Sequence, residues 1–229
     1  MKKLIKNILN LISVNIISSK LYRSNMFLSL KHIKKSGFYP DNVIDVGVAF
    51  GTPELYNLFP NSKFFLIEPI KEFNDYLISK IKLKDFKILN ICASDSKGTI
   101  NINVRKQLST SSIHKGSSNV ESRKVDTDTI KNIFVNQEIK GSVLLKIDVE
   151  GHEINVLKGC GEKLKIISYI IAEVSFYPVL ENSCNYLDVI HFMQKNNFKL
   201  IDIINLRNDT EDYKLSQADL VFANSSLTN

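Results

Sequence analysis

The sequence predicts an α/β protein built on a mostly parallel sheet with helices on both faces. Short, continuously apolar runs rich in Ile, Val, Leu and Phe recur along the chain, and helical stretches lie between them. Strands that are buried on both faces have such continuous apolar runs, whereas half-exposed strands alternate. The strands are predicted at Val43–Val46, Phe64–Ile67, Lys87–Ile91, Val143–Ile147 and Ile166–Glu173.

Helices are predicted between these strands at Pro53–Leu58, Lys71–Lys82 and Glu153–Leu157. Two later apolar runs, Lys199–Ile204 and Asp219–Ala223, are separated only by a polar loop, which predicts an antiparallel pair that closes the sheet. Thr99–Val104 alternates as a short strand and leads into the polar stretch LSTSSIHKGSSN. That stretch is either a substrate-contacting loop at the sheet edge or a mobile surface loop.

Residues 1–36 are predicted to form a helical extension before a domain of residues 37–229. A second helical stretch is predicted at Phe27–Lys35. Near the N-terminus, apolar residues recur at the four-residue spacing of an amphipathic helix, at Leu4, Ile8, Ile12 and Ile16. Polar residues interrupt this run, which argues against a secretory signal and a membrane-spanning helix. Its apolar face is expected to pack on the domain or on a second subunit. Peripheral membrane contact through the first lysines is the less favoured alternative.

The net charge and the cysteine content indicate which binding partners and which cellular compartment to expect. The 229 residues carry a net charge of +6, which would suit an anionic partner. The lysines are scattered, however, so we expect a solvated surface and no nucleic-acid partner. There are three cysteines and no CxxC pair, which argues against a disulfide framework or a structural zinc site. A reducing, cytoplasmic setting is therefore expected.

The stretch NVIDVGVAFG predicts a ligand site at the end of the first strand. Glycines at a strand-to-helix turn, here Gly47 and Gly51, let the backbone approach a ligand closely. Ligands of open α/β sheets bind at the carboxyl ends of the strands. A dinucleotide site would read G-x-G-x-x-G, but Asp45 and Phe50 stand at the first and third glycine positions. An acidic residue suits S-adenosylmethionine, which carries an ammonium and a sulfonium and no phosphate.

Two further groups point to an adenosine-bearing ligand. Glu68 ends the second strand, 23 residues after Asp45, where a carboxylate can accept hydrogen bonds from ribose hydroxyls. Ala93 and Ser94 follow the third strand and are predicted to lie near the adenine, although a structural turn explains them equally well. Together these positions favour a methyl donor over a dinucleotide, which remains the alternative.

The stretch LLKIDVEGHEINVLKG (residues 144–159) places carboxylates directly after a buried strand. Buried carboxylates are costly unless they are paired or hydrogen-bonded, so a positive ligand or a proton transfer is expected there. Asp148, Glu150 and His152 are the candidate catalytic residues, and any of them could be the general base. Alternatively, Asp148 caps the next helix. The carboxylates could also bind a divalent cation, but we assign no metal site. Glu173, which ends the fifth strand, either positions substrate or caps that strand.

With these stretches in view, the chain resembles the FkbM family of S-adenosylmethionine-dependent methyltransferases. The matching stretches are VIDVGVAFG, FFLIEP, CASDSKGT and LLKIDVEGHEINVLKG. They add Val48 and Pro69 to the residues that we expect to contact the donor. The resemblance implies a Rossmann-like class I methyltransferase fold of seven strands, the last antiparallel, with S-adenosylmethionine as cofactor.

The resemblance also implies a reaction. It is O-methylation of a hydroxyl on a sugar, glycan precursor or related small metabolite. Two alternatives stay open at this point: a NAD-type dinucleotide-dependent oxidoreductase, and a non-catalytic binding protein that retains the methyltransferase fold. The expected partner is a small-molecule or glycan acceptor, with a homodimer as a further expectation.

Overall fold

A computed structural model describes residues 23–104, 121–177, 183–209 and 211–228. The amphipathic stretch predicted near the N-terminus and the polar stretch LSTSSIHKGSSN lie outside the described residues. Among the residues that are described, no helix is both long enough and apolar enough to cross a membrane.

Helices and strands alternate along most of the chain. The helices are α1 (Met26–Lys35), α2 (Pro53–Leu58), α3 (Glu72–Lys80), α4 (Ile130–Asn136), α5 (Glu153–Gly159) and α6 (Tyr186–Lys195), with a 3-10 helix at Gly161–Ile166. The strands are β1 (Asn42–Val46), β2 (Lys63–Ile67), β3 (Phe86–Leu89), β4 (Cys92–Ala93), β5 (Gly98–Val104), β6 (Glu121–Asp128), β7 (Val143–Ile147), β8 (Ile167–Ser175), β9 (Phe198–Asn208) and β10 (Leu215–Asn224).

Seven strands form the main sheet in the order β3-β2-β1-β7-β8-β10-β9, and a smaller sheet has the order β4-β6-β5. β10 runs antiparallel to both of its neighbours, and the other adjacent pairs of the main sheet are parallel. This confirms the predicted sheet and its antiparallel last strand. The strand order reverses between β1 and β7, and open α/β sheets bind ligands at the carboxyl end of such a switch point.

Apolar side chains cover both faces of the main sheet. Every residue of β1 and β7 is buried, and successive strand residues point to opposite faces. On one face, Ile130, Val156 and Val189 bring α4, α5 and α6 into the core. On the other face, the core includes Leu30, Leu55 and Leu77 of α1, α2 and α3. The helices predicted near Phe27–Lys35 and at Pro53–Leu58 are confirmed, and the first of these packs into the core of the domain.

Some elements carry little sequence signal and were not predicted. β6 reads ESRKVDTD, without an apolar run, because most of its side chains are exposed or half-exposed beside β5. α4 has only seven residues. α6 begins after Asn185, whose side chain accepts hydrogen bonds from the backbone of Leu187 and Asp188 in a capping box. The third strand was predicted to reach Ile91 but ends at Leu89.

Candidate active site

A cavity of about 360 Å³ opens at the carboxyl edge of the sheet, between the ends of β1 and β7. This volume lies within the range of small-molecule sites. All three predicted catalytic residues, Asp148, Glu150 and His152, line the cavity. Six of the predicted donor-binding residues also line it: Gly47, Val48, Gly51, Glu68, Pro69 and Ala93. Asp45 and Ser94 are not among the lining residues.

The loop after β1 lies directly against the end of β7. Gly47 has φ of +75°, and a Cβ atom there would overlap the backbone carbonyl oxygen of Asp148. Its N–H donates to the carbonyl oxygen of Ile67, at 2.9 Å, which ties the loop to β2 as well. Only glycine satisfies both the positive φ and the close approach. This geometry is consistent with the role predicted for Gly47, in which a glycine lets the backbone approach a ligand closely.

Glu68 is buried at the end of β2 and organises the backbone around it. Its Oε2 accepts a hydrogen bond from the Ala49 N–H and its Oε1 accepts one from the Ile70 N–H, both at 2.9 Å. Burial raises the pKa of Glu68 to about 7, although these two backbone hydrogen bonds oppose the shift. Each carboxylate oxygen has a second lone pair. Glu68 can therefore hold the loop and still accept hydrogen bonds from ribose hydroxyls.

Asp45 lies behind the cavity wall. Its side chain is fully buried, because it is the fourth residue of the five-residue strand β1. Oδ2 accepts a hydrogen bond from the Tyr56 hydroxyl at 3.1 Å, whereas Oδ1 has no hydrogen-bond partner and lies 3.7 Å from Nζ of Lys146. Burial raises the pKa of Asp45, and Lys146 opposes that rise. The structure thus places Asp45 against Tyr56 and Lys146, and not on the cavity surface where a direct donor contact was predicted.

Asp148 follows β7 and lies between an ammonium and a second carboxyl group. Nζ of Lys146 donates to Oδ2 of Asp148 at 3.1 Å. On its other side, carboxylate oxygens of Asp148 and Glu173 lie within 4.8 Å of one another, and Oε1 of Glu173 lies 3.0 Å from Nη1 of Arg207. Burial acts to raise the pKa of Asp148, but the positive charge of the nearby Lys146 ammonium outweighs it and holds that pKa low. Burial and the nearby Asp148 charge raise the pKa of Glu173.

Carboxyl groups outnumber cations in and behind this end of the cavity wall. The acidic groups are Asp45, Asp148, Glu150, Glu173 and Asp219, and the basic groups are Lys146 and Arg207. Such an excess attracts a cation and repels a pyrophosphate. The side chains therefore fit S-adenosylmethionine, with its sulfonium and ammonium charges, better than a dinucleotide.

Three of these carboxylates converge closely enough to raise the question of a metal ion. Oxygens of Asp148, Glu150 and Glu173 all lie within 4.8 Å of one another, and oxygen ligands suit hard cations. Lys146 and Arg207 already supply positive charge to two of the three carboxylates. We therefore assign no metal to this cluster.

His152 is buried and contacts Ser94, the residue directly after β4. Its Nε2 lies 3.0 Å from Oγ of Ser94, so the structure brings these two predicted site residues together. His152 is also the N-cap residue of α5, which begins at Glu153. The alternative in which Asp148 caps this helix is therefore wrong. Glu153 shapes the loop, because its two carboxylate oxygens accept hydrogen bonds from the Gly151 N–H and the Cys184 thiol, each at 2.9 Å.

Sequence reasoning missed two cations of the site, Lys146 and Arg207. Lys146 stands within the apolar run LLKID, and a charge inside a buried strand is itself a signal of a buried partner. Arg207 lies near the end of β9, with its side chain 60% exposed, and nothing in the local sequence separates it from other surface arginines. Glu173, for which two roles were considered, lines the cavity.

Comparison with known proteins identifies the family. The model of the methyltransferase FkbM domain matches residues 45–200. A solved structure of methyltransferase FkbM from Methylobacillus flagellatus KT is similar, with a TM-score of 0.50 and 15% identity over 79% of this chain and 43% of that chain. The chain thus spans less than half of that protein. This likeness supports the fold alone.

Two other solved structures are similar at slightly lower scores. Precorrin-6y C5,15-methyltransferase from Geobacter metallireducens GS-15 has a TM-score of 0.48 and 10% identity, over 86% of each chain. The N-methyltransferase NodS from Bradyrhizobium japonicum WM9, in complex with S-adenosyl-l-homocysteine, has a TM-score of 0.47 and 10% identity, over 87% of this chain and 88% of that chain. No curated protein sequence matches. Because the family model covers more than half of the chain, the protein belongs to the FkbM family of methyltransferases, with S-adenosylmethionine as its cofactor.

Proposed function

We propose that the protein transfers the methyl group of S-adenosylmethionine to a hydroxyl of a sugar, glycan precursor or related small metabolite. The observation that carries this proposal is that Asp148 and Glu173 both line the cavity, with carboxylate oxygens within 4.8 Å of one another. An alcohol oxygen must lose its proton when it is methylated, and a carboxyl pair beside the acceptor can take that proton.

The donor half of the cavity supplies groups that match each part of the cofactor. Glu68 would accept hydrogen bonds from the ribose hydroxyls, and Pro69 and Ala93 would lie beside the adenine. The backbone of Gly47 and Val48 would border the amino-acid end. S-adenosylmethionine, when bound, supplies an electrophilic methyl group on a sulfonium. The missing glycine fingerprint and the acidic lining disfavour the dinucleotide alternative.

The acceptor half would be the end of the cavity formed by Asp148, Glu173 and Arg207. Methyl transfer is an in-line displacement, so most of the rate enhancement would come from positioning the hydroxyl oxygen. Asp148 is suited to orient that hydroxyl because the hydrogen bond from Nζ of Lys146 holds its carboxylate. His152 remains the alternative base, although its Nε2 lies at Ser94. A cytoplasmic location and a homodimer remain predictions from the sequence.

A methyl-transfer assay tests this proposal. Purified protein is incubated with methyl-labelled S-adenosylmethionine and a panel of monosaccharides, nucleotide sugars and polyols, and the product linkage is determined by NMR and mass spectrometry. We expect a methyl ether from at least one acceptor. Methyl transfer to nitrogen or carbon would refute the hydroxyl acceptor. Donor binding without transfer to any acceptor in the panel would favour the non-catalytic alternative.

Two variants make the assay specific to the carboxyl pair. Asp148→Asn removes the carboxylate at nearly constant shape and should abolish most of the turnover. Asp212→Asn is a matched control, because Asp212 lies in the β9–β10 connection, paired with Lys214 away from the cavity. Equal turnover in the two variants would contradict the assigned role of Asp148.

A further inference from the structure

Phe50 is an exposed aromatic residue in the wall of the cavity. It lines the cavity, yet 54% of its surface is exposed. In the sequence it stands at the third glycine position of the dinucleotide fingerprint. A single exposed phenylalanine is ordinary on a protein surface. Two features of the chain, however, hold this one at the cavity.

The first feature is a tight turn that presents Phe50. The Gly51 N–H donates to the carbonyl oxygen of Val48 at 2.7 Å. Ala49 and Phe50 are therefore the central residues of the turn, and Ala49 has φ of +45°, which a residue with a Cβ rarely adopts. The Ala49 N–H donates to Oε2 of Glu68 at 2.9 Å. The fold thus keeps a strained turn and ties it to the carboxylate that we expect at the ribose.

The second feature is an aromatic cluster that α3 supplies. The Phe50 ring packs edge-to-face with Phe73, with ring centroids 5.0 Å apart, and with Tyr76, with ring centroids 5.1 Å apart. Such ring pairs stabilise a structure beyond the area that they bury. Phe73 is itself buried and lines the cavity. The Phe50 ring is therefore fixed beside the part of the cavity wall that follows β2.

The surroundings of Phe50 identify the part of the donor that it faces. After β2 and β3, the cavity is lined by apolar residues, namely Pro69, Ile70, Phe73, Ile91 and Ala93. The carboxyl groups of Asp148 and Glu173 lie on the other side of β1, with β7 and β8. An adenine has apolar faces that pack well against aromatic side chains. The end of the cavity at Phe50 therefore fits the adenosine moiety, and the acidic end fits the sulfonium.

We propose that Phe50 is a donor-binding residue whose ring packs against the adenosine moiety of S-adenosylmethionine. Binding of the adenosine removes apolar surface of Phe50 from water, which favours the complex. The contact rests on the methyl donor alone, so its test needs no acceptor and is independent of the proposed hydroxyl methylation.

A tryptophan reporter tests the contact directly. The chain contains no tryptophan, so Phe50→Trp introduces a single indole at the cavity. We expect a saturable change of its fluorescence with S-adenosylhomocysteine and, at higher concentration, with adenosine, but none with methionine. Tyr213→Trp is the control, since Tyr213 is exposed in the β9–β10 connection and is not among the lining residues. Its fluorescence should not respond.

Two results of the fluorescence experiment would overturn the proposal. The first is an unchanged Phe50→Trp signal in a protein that binds S-adenosylhomocysteine by calorimetry. The second is a response of Phe50→Trp to methionine and not to adenosine, which would place the ring at the amino-acid end of the donor.

Calorimetry of ring-deletion variants decides the question if Phe50→Trp does not fold. Phe50→Ala should weaken binding of S-adenosylhomocysteine at least about fivefold, the lower end of what base–aromatic packing contributes. Phe50→Tyr keeps the ring and should bind like the wild type. Phe27→Ala is the matched control, because Phe27 is also exposed but lies on α1 and is not among the lining residues.

The methylated and demethylated ligands separate the adenosine from the sulfonium. Phe50→Ala should lose the same factor of affinity for S-adenosylmethionine as for S-adenosylhomocysteine, because the two ligands share the adenosine. A loss confined to S-adenosylmethionine would assign the ring to the sulfonium and overturn the proposal. Wild-type affinity of Phe50→Ala for both ligands would refute any contact.

Discussion

Gly47, in the loop after β1, packs against the backbone carbonyl oxygen of Asp148, at the end of β7. The backbone N–H of Asp148 also donates to the carbonyl oxygen of Val46, at 3.0 Å. The loop after β1 and the residue that carries the Asp148 carboxylate are therefore held to one another across the switch point. A substitution at either Gly47 or Asp148 should therefore alter the backbone position of the other residue.

A side chain at Gly47 should disrupt the donor site. Gly47→Ala puts a Cβ into the carbonyl oxygen of Asp148 at φ of +75°, and we expect at least a tenfold loss of S-adenosylhomocysteine affinity by calorimetry. Gly37→Ala is the control, because Gly37 also has positive φ (+96°) but a Cβ there meets nothing within 4 Å. Each of the two substitutions should cost about 1–2 kcal/mol of stability through backbone strain at positive φ. Equal binding by the two variants would contradict the contact.

Glu68 should make stability depend on pH in a defined direction. Its pKa is about 7 in the fold, because of burial, and its ordinary value is 4.5. The folded state therefore binds more protons than the unfolded state in this interval. The contribution to stability is fully present below pH 4.5 and is lost as pH rises through 7.

Glu68→Gln removes the titration of Glu68. The difference in stability between the wild type and this variant therefore isolates the contribution of Glu68. Between about pH 5 and pH 8 we expect the free energy of unfolding of the wild type to fall by up to about 3 kcal/mol more than that of the variant. Urea unfolding at several pH values measures the difference, in which other titrating groups cancel. Parallel curves for the two proteins would show that Glu68 titrates normally.

The hydroxyl of Tyr56 should stabilise the buried Asp45 carboxylate. Tyr56→Phe removes the hydrogen bond to Oδ2, and the loss of a partner from a fully buried carboxylate should cost about 1–3 kcal/mol. Tyr213→Phe is the control, since Tyr213 is 77% exposed, and it should change stability by less than about 0.5 kcal/mol. Urea unfolding measures both variants. Equal stability of Tyr56→Phe and the wild type would mean that Lys146 stabilises the Asp45 carboxylate without help from Tyr56.

Asp148 and His152 should differ sharply as proton acceptors. With an acceptor from the panel, Asp148→Asn should lower kcat by about 10²- to 10⁴-fold, the usual contribution of general base catalysis. His152→Gln should have a much smaller effect on kcat, since Nε2 of His152 lies at Ser94 Oγ. Steady-state kinetics distinguish the two. The opposite ranking would make His152 the base.

The strands were predictable because parallel strands buried on both faces leave continuous apolar runs. β1 and β7 match the predicted runs within one residue. β6 could not be predicted in this way, because its mostly exposed side chains show no apolar periodicity. Its strand conformation comes from pairing with β5.

The site was predictable where backbone or strand ends define it, and less so where distant side chains meet. Gly47, Glu68 and Asp148 follow their strands and line the cavity, as the strand pattern indicates. The partnership of Asp45 and Lys146 joins residues about a hundred positions apart in neighbouring strands. No local pattern shows that Lys146 would lie beside the carboxylate of Asp45, which is buried behind the cavity wall. The same holds for Arg207, which reaches Glu173 from β9.

We expect the cavity at the carboxyl edge to bind S-adenosylmethionine through the loop at Gly47 and the carboxylate of Glu68. Thermal melting with S-adenosylmethionine, S-adenosylhomocysteine and NAD in parallel tests it most directly. A ligand at about 100 times its Kd should stabilise the fold by roughly 2.7 kcal/mol. We expect a rise in Tm with both sulfur ligands that Gly47→Ala abolishes, and none with NAD. No rise with the sulfur ligands, or a larger one with NAD, would contradict the claim.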